Sequence, residues 1–546
     1  MLVILNTKEI GLYHKGIMAK ELTYKPLDNV GINGLNTQDN SALLEPAWLT
    51  KAENIVLQEG GQIAFRKGLK QKVLATSGKV KGIVESEEKD KIFAAVEDDD
   101  GNAYMYEVNF NDPDSPWTNQ FDTTAATADW QLLEWNGDIW GFQDGVDPIT
   151  YDSSASSWSL QRSITGFQEP SILTGPTAFK PTCAMGYYGR MFVGGIPERP
   201  STLFYSDLLI GKDFQASGAG NIDLDKVWGN DIIVGIAPFY GKLVIFGRSN
   251  IAIYSNPSSP ASATLDEVIE GIGLADRDSI QAIGDDLLFL SPTGVRSLAR
   301  TTEKDNVPLQ DYSRNIKDSL IRLIDTNSNI KSCYNEDEGL YLLSFIQSKV
   351  TYAFDMKHRT PNGSPRVTLF KFSTDRDILS MAFTHNQGFL VGQTAGSICS
   401  YEGYYDKEYV SGGTWTNYSY SGKFATIWVD LGQSTLASIL KKLAFIVSGG
   451  QGTSVGLKWY IDYNENQPHT MSFTLNPTAS GLAYYWNNSE SLYGTAKYAP
   501  YYNLKEYNVS LTGRAKFIKL EMSALTSGYS AALQDMTLLY KQGKIR

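Results

Sequence analysis

The chain has little cysteine and little histidine, and each scarcity closes off a chemistry. Three cysteines stand far apart, at Cys183, Cys333 and Cys399. No CxxC pair occurs, which argues against a zinc ribbon or a dithiol redox pair. An odd, sparse set supplies no disulfide framework and fits folding in a reducing cytoplasm. The four histidines, His14, His358, His385 and His469, include no HxxxH-type ligand pair. No run of 18 apolar residues is present, so no membrane-spanning helix is expected. Residues 1–17 contain Leu2-Val3-Ile4-Leu5 but neither a long apolar core nor a small-residue cleavage site, which argues against a signal peptide. Met18-Ala19-Lys20 reads as a more natural start, and residues 1–20 are set apart as a poorly ordered extension. GxxxxGK[ST], GxSxG and HExxH are all missing.

What the chain has is sheet-forming material. Of 546 residues, 42% are apolar and 20% charged, enough for packed cores and too apolar for bulk disorder. There are 31 tyrosines and 49 glycines, with few long helical patterns, which points to strands joined by tight turns. The net charge is −12 and unevenly placed. Residues 405–546 carry a net +4, so residues 1–404 carry −16. An acidic block of that size argues against gripping nucleic acid through its phosphates, though not against letting it pass.

Internal repetition is the strongest signal. A Gly-centred turn is followed by an apolar strand, then by a second strand ending in an aromatic. The clearest copies are Asn136-Gly137-Asp138-Ile139-Trp140-Gly141-Phe142 leading to Tyr151, Tyr188-Gly189-Arg190-Met191-Phe192-Val193 leading to Tyr205, and Tyr240-Gly241-Lys242-Leu243-Val244-Ile245-Phe246 leading to Tyr254. Weaker copies centre on Gly284, Gly339 and Gly388, and an earlier one without the glycine begins at Lys91. The glycines are spaced by 52, 52, 43, 55 and 49 residues, the period of propeller blades. The expected fold is all-β: a β-propeller of about seven blade-like repeats over 76–404, after an N-terminal arm and first strands at 21–75. A β-sandwich array with chance periodicity is the alternative. Residues 313–324 place Ile316, Leu320, Leu323 and Ile324 on one helical face behind Ser313 as N-cap, predicting one short interblade helix. Strands at 424–429, 443–447, 455–463, 471–475, 507–511, 517–522 and 538–540 predict a C-terminal β-sandwich domain over 405–546.

Chemical motifs fail on inspection. Val410-Ser411-Gly412-Gly413-Thr414-Trp415 resembles a sialidase turn, with Val410 where its aspartate belongs. Asp98-Asp99-Asp100-Gly101-Asn102 opens like a calcium loop, but its twelfth position is Asn109. Gly271-Ile272-Gly273-Leu274-Ala275-Asp276 is half a dinucleotide fingerprint without its third glycine. No catalytic, cofactor-binding or metal residues are assigned, and the chain is expected not to be an enzyme.

The N-terminal segment carries a family likeness. It reads Asn29-Val30-Gly31-Ile32-Asn33-Gly34-Leu35-Asn36-Thr37-Gln38, then Asn54-Ile55-Val56-Leu57, then Gly60-Gly61-Gln62-Ile63-Ala64-Phe65-Arg66-Lys67-Gly68. This resembles the opening of short-tailed bacteriophage tail hub or nozzle proteins, the group that includes packaged-DNA stabilisation and tail tubular B-type proteins. The segments 240–251 and 293–298 and the helix at 313–324 are similar to that group too. The likeness covers about three quarters of the chain; residues 405–546 look like an appended domain. It implies a structural virion protein of the tail, assembled in the host cytoplasm. It implies a homohexameric ring below the portal and its adaptor, contacts to tail fibres or a needle, and double-stranded DNA passing without specific binding. It implies no catalytic residues and no cofactor. An acidic lumen would let DNA slide. Two other classes compete: a carbohydrate-binding or glycan-hydrolysing propeller of a host-recognition apparatus, and a monomeric scaffold propeller.

Overall fold

The computed structural model describes residues 22–58, 60–175, 179–298, 311–327, 329–372, 377–432, 436–476 and 504–543. The extension at 1–20 lies outside them. Apolar runs of four to six residues between tight turns form short antiparallel strands. These group into sheets at 79–122, 131–160, 183–223, 233–270, 281–297, 330–370 and 378–401, called blades one to seven. Blades one to six are each drawn from consecutive strands. The three strands of blade seven are completed from far upstream: Leu69–Gln71 pairs antiparallel with Ile398–Tyr401, Cys399 opposite Gln71 and Tyr401 opposite Leu69. That strand closes the ring, leaving no open seam between first and last blades.

Every interface between neighbouring blades is apolar. Phe93, Met105, Trp130, Ile139 and Tyr151 fill the space between blades one and two. Val80, Val96, Leu390 and Ile398 fill the one between seven and one. The turns the repeat predicts are real. Asn136-Gly137, Tyr188-Gly189 and Tyr240-Gly241 each place two successive residues at positive φ, the geometry of a type I′ hairpin turn. At 188 and 240 a tyrosine occupies a conformation that bulky side chains avoid.

The helix is shorter than its sequence pattern and capped differently. A single 3-10 turn, Arg314–Ile316, leads into the α-helix Lys317–Thr326. Ser313 does not cap it; its hydroxyl donates to Asp311 at 2.5 Å and accepts from the Val295 amide at 3.1 Å. Ile316 and Leu320 bury the helix against blade five, while Ser319 meets Thr37 of the arm.

The domain pieces are more interwoven than a linear reading implies. Residues 21–75 are no separate arm. Thr23–Pro26 and Ile63–Phe65 pair with Ala531–Lys541, and Trp48–Glu53 pairs with Ser421–Thr426. Residues 406–418 are not part of the sandwich either: Asp406–Ser411 runs parallel to Leu69–Gln71 and extends blade seven. The sandwich draws its strands from 421–430, 438–474 and 504–541, plus N-terminal strands. One of its sheets is continuous with blade six, through the pairing of Leu369 with Glu53. Leu443, Phe445 and Val447 of one sheet share a core with Leu457, Trp459 and Leu520 of the other. The predicted C-terminal strands are all present and mostly longer, as with Ser438–Gly449 and Ala531–Lys541.

Candidate functional site

The propeller axis holds the densest polar network. Asp276, Arg277 and Asp278 sit where the chain crosses from blade four to blade five, at the 3-10 turn Arg277–Ser279. Arg277 reaches across the axis and donates to three carbonyls of other blades. Nη2 bonds Asp129 O at 2.8 Å, and Nη1 bonds Thr182 O and, at 3.5 Å, Phe142 O. Its Nε lies 3.3 Å from Asp278. Lys331 of blade six pairs with Asp278, and Asn329 donates to Asp129 at 2.8 Å. Lys81 of blade one bridges Glu97 at 2.5 Å and Asp129 at 3.3 Å. Five blades are thus tied to one another by charge-assisted bonds shielded from bulk water, where such bonds are strong.

The titration of these groups follows from their neighbours. Burial, and then the adjacent Asp278 carboxylate, push Asp276 up to about 6. Burial acts the same way on Asp278, but Lys331 and Arg277 outweigh it and hold that carboxyl below its usual range. A cavity of about 630 Å³, lined by Gln143, Asp144, Arg248 and Arg277, opens beside the network. A cavity of that size is far too small to pass a duplex, so this propeller is not itself a pore for one.

A second cleft, about 540 Å³, lies between blade six and the 57–62 turn. His358 Nδ1 stands 3.0 Å from Asp355 Oδ2, and Arg366 lies 3.9 Å from the same oxygen. The other Asp355 oxygen accepts the Lys357 and His358 amides. A His–Asp pair of this kind needs a nucleophile to do acyl-transfer chemistry. Among the described residues no serine or cysteine lines the cleft, and Thr368 is the one hydroxyl there.

The N-terminal family-like motif marks the junction of the two domains. Arg66 is fully buried. Its guanidinium lies between the rings of Phe372 and Tyr420, 4.4 and 4.1 Å from their centroids. Nε donates to Asn54 Oδ1 at 3.0 Å, Nη1 to Lys67 O at 2.7 Å, and Asp406 stands 3.5 Å away. Gly68 is required by close approach: a Cβ there would meet Tyr405 O at 2.0 Å. One arginine thus joins the arm, blade seven's extension and the sandwich.

The remaining singled-out residues have structural roles. Asp98 accepts the Asp100 and Asn102 amides in a solvated hairpin turn, and Asn109 lies beyond the following strand. The Val410–Trp415 turn is held by Asp114, which accepts the Gly412 amide at 3.0 Å, while Trp415 donates to Gln71 O. All three cysteines are buried; Cys399 Sγ lies 3.2 Å from Gln393 Oε1, and burial pushes the Cys183 and Cys333 thiols up to about 12. His469 stacks on Trp459. Among the described residues no cluster of three His, Cys, Asp or Glu could hold a metal ion. No helix among them is long and apolar enough to cross a membrane. Sequence reasoning missed the axis. Its sole local trace is the charged triplet Asp276-Arg277-Asp278 between apolar neighbours.

No family model and no curated protein matches the chain. Among solved structures it is similar to the Pan2 WD40 domain of Neurospora crassa, at 8% identity and a TM-score of 0.35, covering 59% of this chain and 88% of that one. It is similar to PorZ, a surface component of the type-IX secretion system of Porphyromonas gingivalis, at 12% identity and 0.34, covering 73% and 46%. It is also similar to an exo-β-1,3-galactanase from Phanerochaete chrysosporium, at 11% identity and 0.26, covering 87% and 100%. At these values the propeller rests on the chain's own sheets, and nothing about activity follows from the likenesses.

Proposed function

We propose that this chain is a structural subunit of a short-tailed phage tail, a hub or nozzle protein that assembles as a ring, about six copies, below the portal and adaptor. The observation that carries the reading is the junction built on Arg66. The family-like segment at 60–68 spends its arginine and its last glycine on fusing propeller and sandwich. A body stiffened in this way suits a part that must hold its shape under a pressurised genome. Because the cavity beside Arg277 is far too small for a duplex, the DNA conduit of this reading runs between subunits, not through one. The −16 charge of residues 1–404 would then repel phosphate from the conduit wall. In this reading the subunit does no catalysis, and tail fibres or a needle attach to surfaces outside the ring contacts.

An exposed apolar patch supports a partner surface. The turn tips Tyr188 and Tyr240 project beside Leu208 and Leu209, all largely exposed. The two leucines pack over Gly189, and the Tyr188 hydroxyl lies over Gly241. Strained, exposed aromatics on adjacent turns fit a contact that reimburses them on assembly. The test is electron microscopy of the purified protein mixed with its own portal–adaptor complex. Rings of copies capping the adaptor support the reading. Failure to bind the adaptor, together with absence from purified virions, overturns it.

A further inference from the structure

A third cavity, about 380 Å³, lies between blades two and three, away from the axis and from the cleft of blade six. Its wall is one face of blade two. Trp140 stands opposite Thr150, and Thr150 opposite Ser159, so the three side chains line up across the sheet. Asp138 and Asp152 lie two residues from Trp140 and Thr150, on the same face by strand alternation. Trp135 completes the wall. Its ring is clamped between Gly186 and Gly211, where a Cβ would come within 2.0 and 2.6 Å of it, and it meets Trp140 at 6.2 Å and 67°.

Two buried polar atoms in this wall lack a partner. Trp140 and Thr150 are 4% and 3% exposed, and neither the indole N–H of one nor the hydroxyl of the other is hydrogen-bonded. A buried polar atom left without a partner is destabilising, so an occupant supplying both bonds would be favoured. The carboxylates are half committed. One oxygen of Asp138 accepts the Ser153 amide, and one oxygen of Asp152 accepts the Ser154 and Ala155 amides. The second oxygen of each can take a ligand hydroxyl. The wall therefore combines indole rings, a buried donor, hydroxyls and two acceptors of negative charge.

We propose that this cavity binds a neutral saccharide, one or two pyranose rings in size. Its volume falls within the range of small-molecule sites. A pyranose offers apolar C–H faces to indole and hydroxyls that serve as donor and acceptor at once, matching both carboxylates and the unpaired Trp140 and Thr150 atoms. Lys212 also lines the cavity, donating to Thr165 O, so two carboxylates stand against one cation and the net negative wall disfavours phosphorylated and acidic ligands. The assignment stands independently of ring assembly, since every residue in it comes from a single subunit.

The test screens the full-length protein on an array of neutral and acidic glycans and titrates the hits by calorimetry. A neutral glycan is expected to bind. Thr150→Val keeps the side-chain shape and removes an unpartnered hydroxyl, so its melting temperature should hold or rise while affinity falls about tenfold, the loss of one hydrogen bond. Asp138→Asn, at a position nearer the surface, should weaken binding by a similar factor. Binding by free mono- or disaccharide would define the site as self-sufficient; binding only by longer chains of the same neutral sugar would extend it along the blade edge, and both support the assignment. No neutral hit, acidic hits alone, or affinity unmoved by both substitutions in folded protein overturns it.

Discussion

Two arginines organise this molecule, and they work differently. Arg277 reaches across the propeller axis and binds backbone carbonyls of blades two and three. Arg66 sits at the domain junction between two aromatic rings, with Asn54 and Asp406 beside it. The first holds a ring that its own apolar interfaces already close. The second holds pieces that are remote in sequence, beside an apolar core that itself runs from blades five and six into the sandwich. Loss of Arg66 should therefore uncouple the two domains, and loss of Arg277 should weaken the body without uncoupling them.

That contrast can be broken experimentally. Arg66→Met should be the most damaging change, costing about 3–5 kcal/mol by leaving Asp406 buried beside an uncharged neighbour; chemical denaturation of both domains, followed by tryptophan fluorescence, checks it. Arg277→Ala should cost about 3 kcal/mol through its lost charge-assisted bonds, lowering the shared transition in the same experiment without splitting it. Asp276 gives a sharper probe of the axis. Its folded pKa of about 6 lies above the ordinary carboxyl value, so the protonated form is favoured on folding. Its stabilising contribution is complete below about pH 4 and is lost as pH rises through about 6. Stability of Asp276→Asn measured across that window should lack this decline. Smallest is Tyr188→Asn, which relieves an aromatic at positive φ and should raise stability by up to about 1 kcal/mol while weakening ring assembly in mass photometry.

The two regions also differ in how far the sequence discloses them. The blades are written locally: Gly137, Gly189 and Gly241 sit at turns that require positive φ, and each apolar run beside them is one strand. Arg66 and Gly68 are visible as a local motif, although their partners at 405, 406 and 420 are not. The axis leaves almost no pattern, because the partners of Arg277 are carbonyls 95 to 148 residues away. A backbone acceptor exists at every position and marks none. The helix shows a local rule overruled: Ser313 is a good cap by type, but Asp311 and the Val295 amide engage its hydroxyl first. The return of Leu69–Gln71 to close blade seven is likewise a long-range pairing that a three-residue strand cannot announce.

The central claim is that propeller and sandwich form one mechanical body, fused at Arg66 and through the sheet that runs from blade six into the sandwich. Differential scanning calorimetry of the full chain tests it most directly. The native protein should show one cooperative transition, split into two by Arg66→Met. Two separate transitions in the native protein would contradict it.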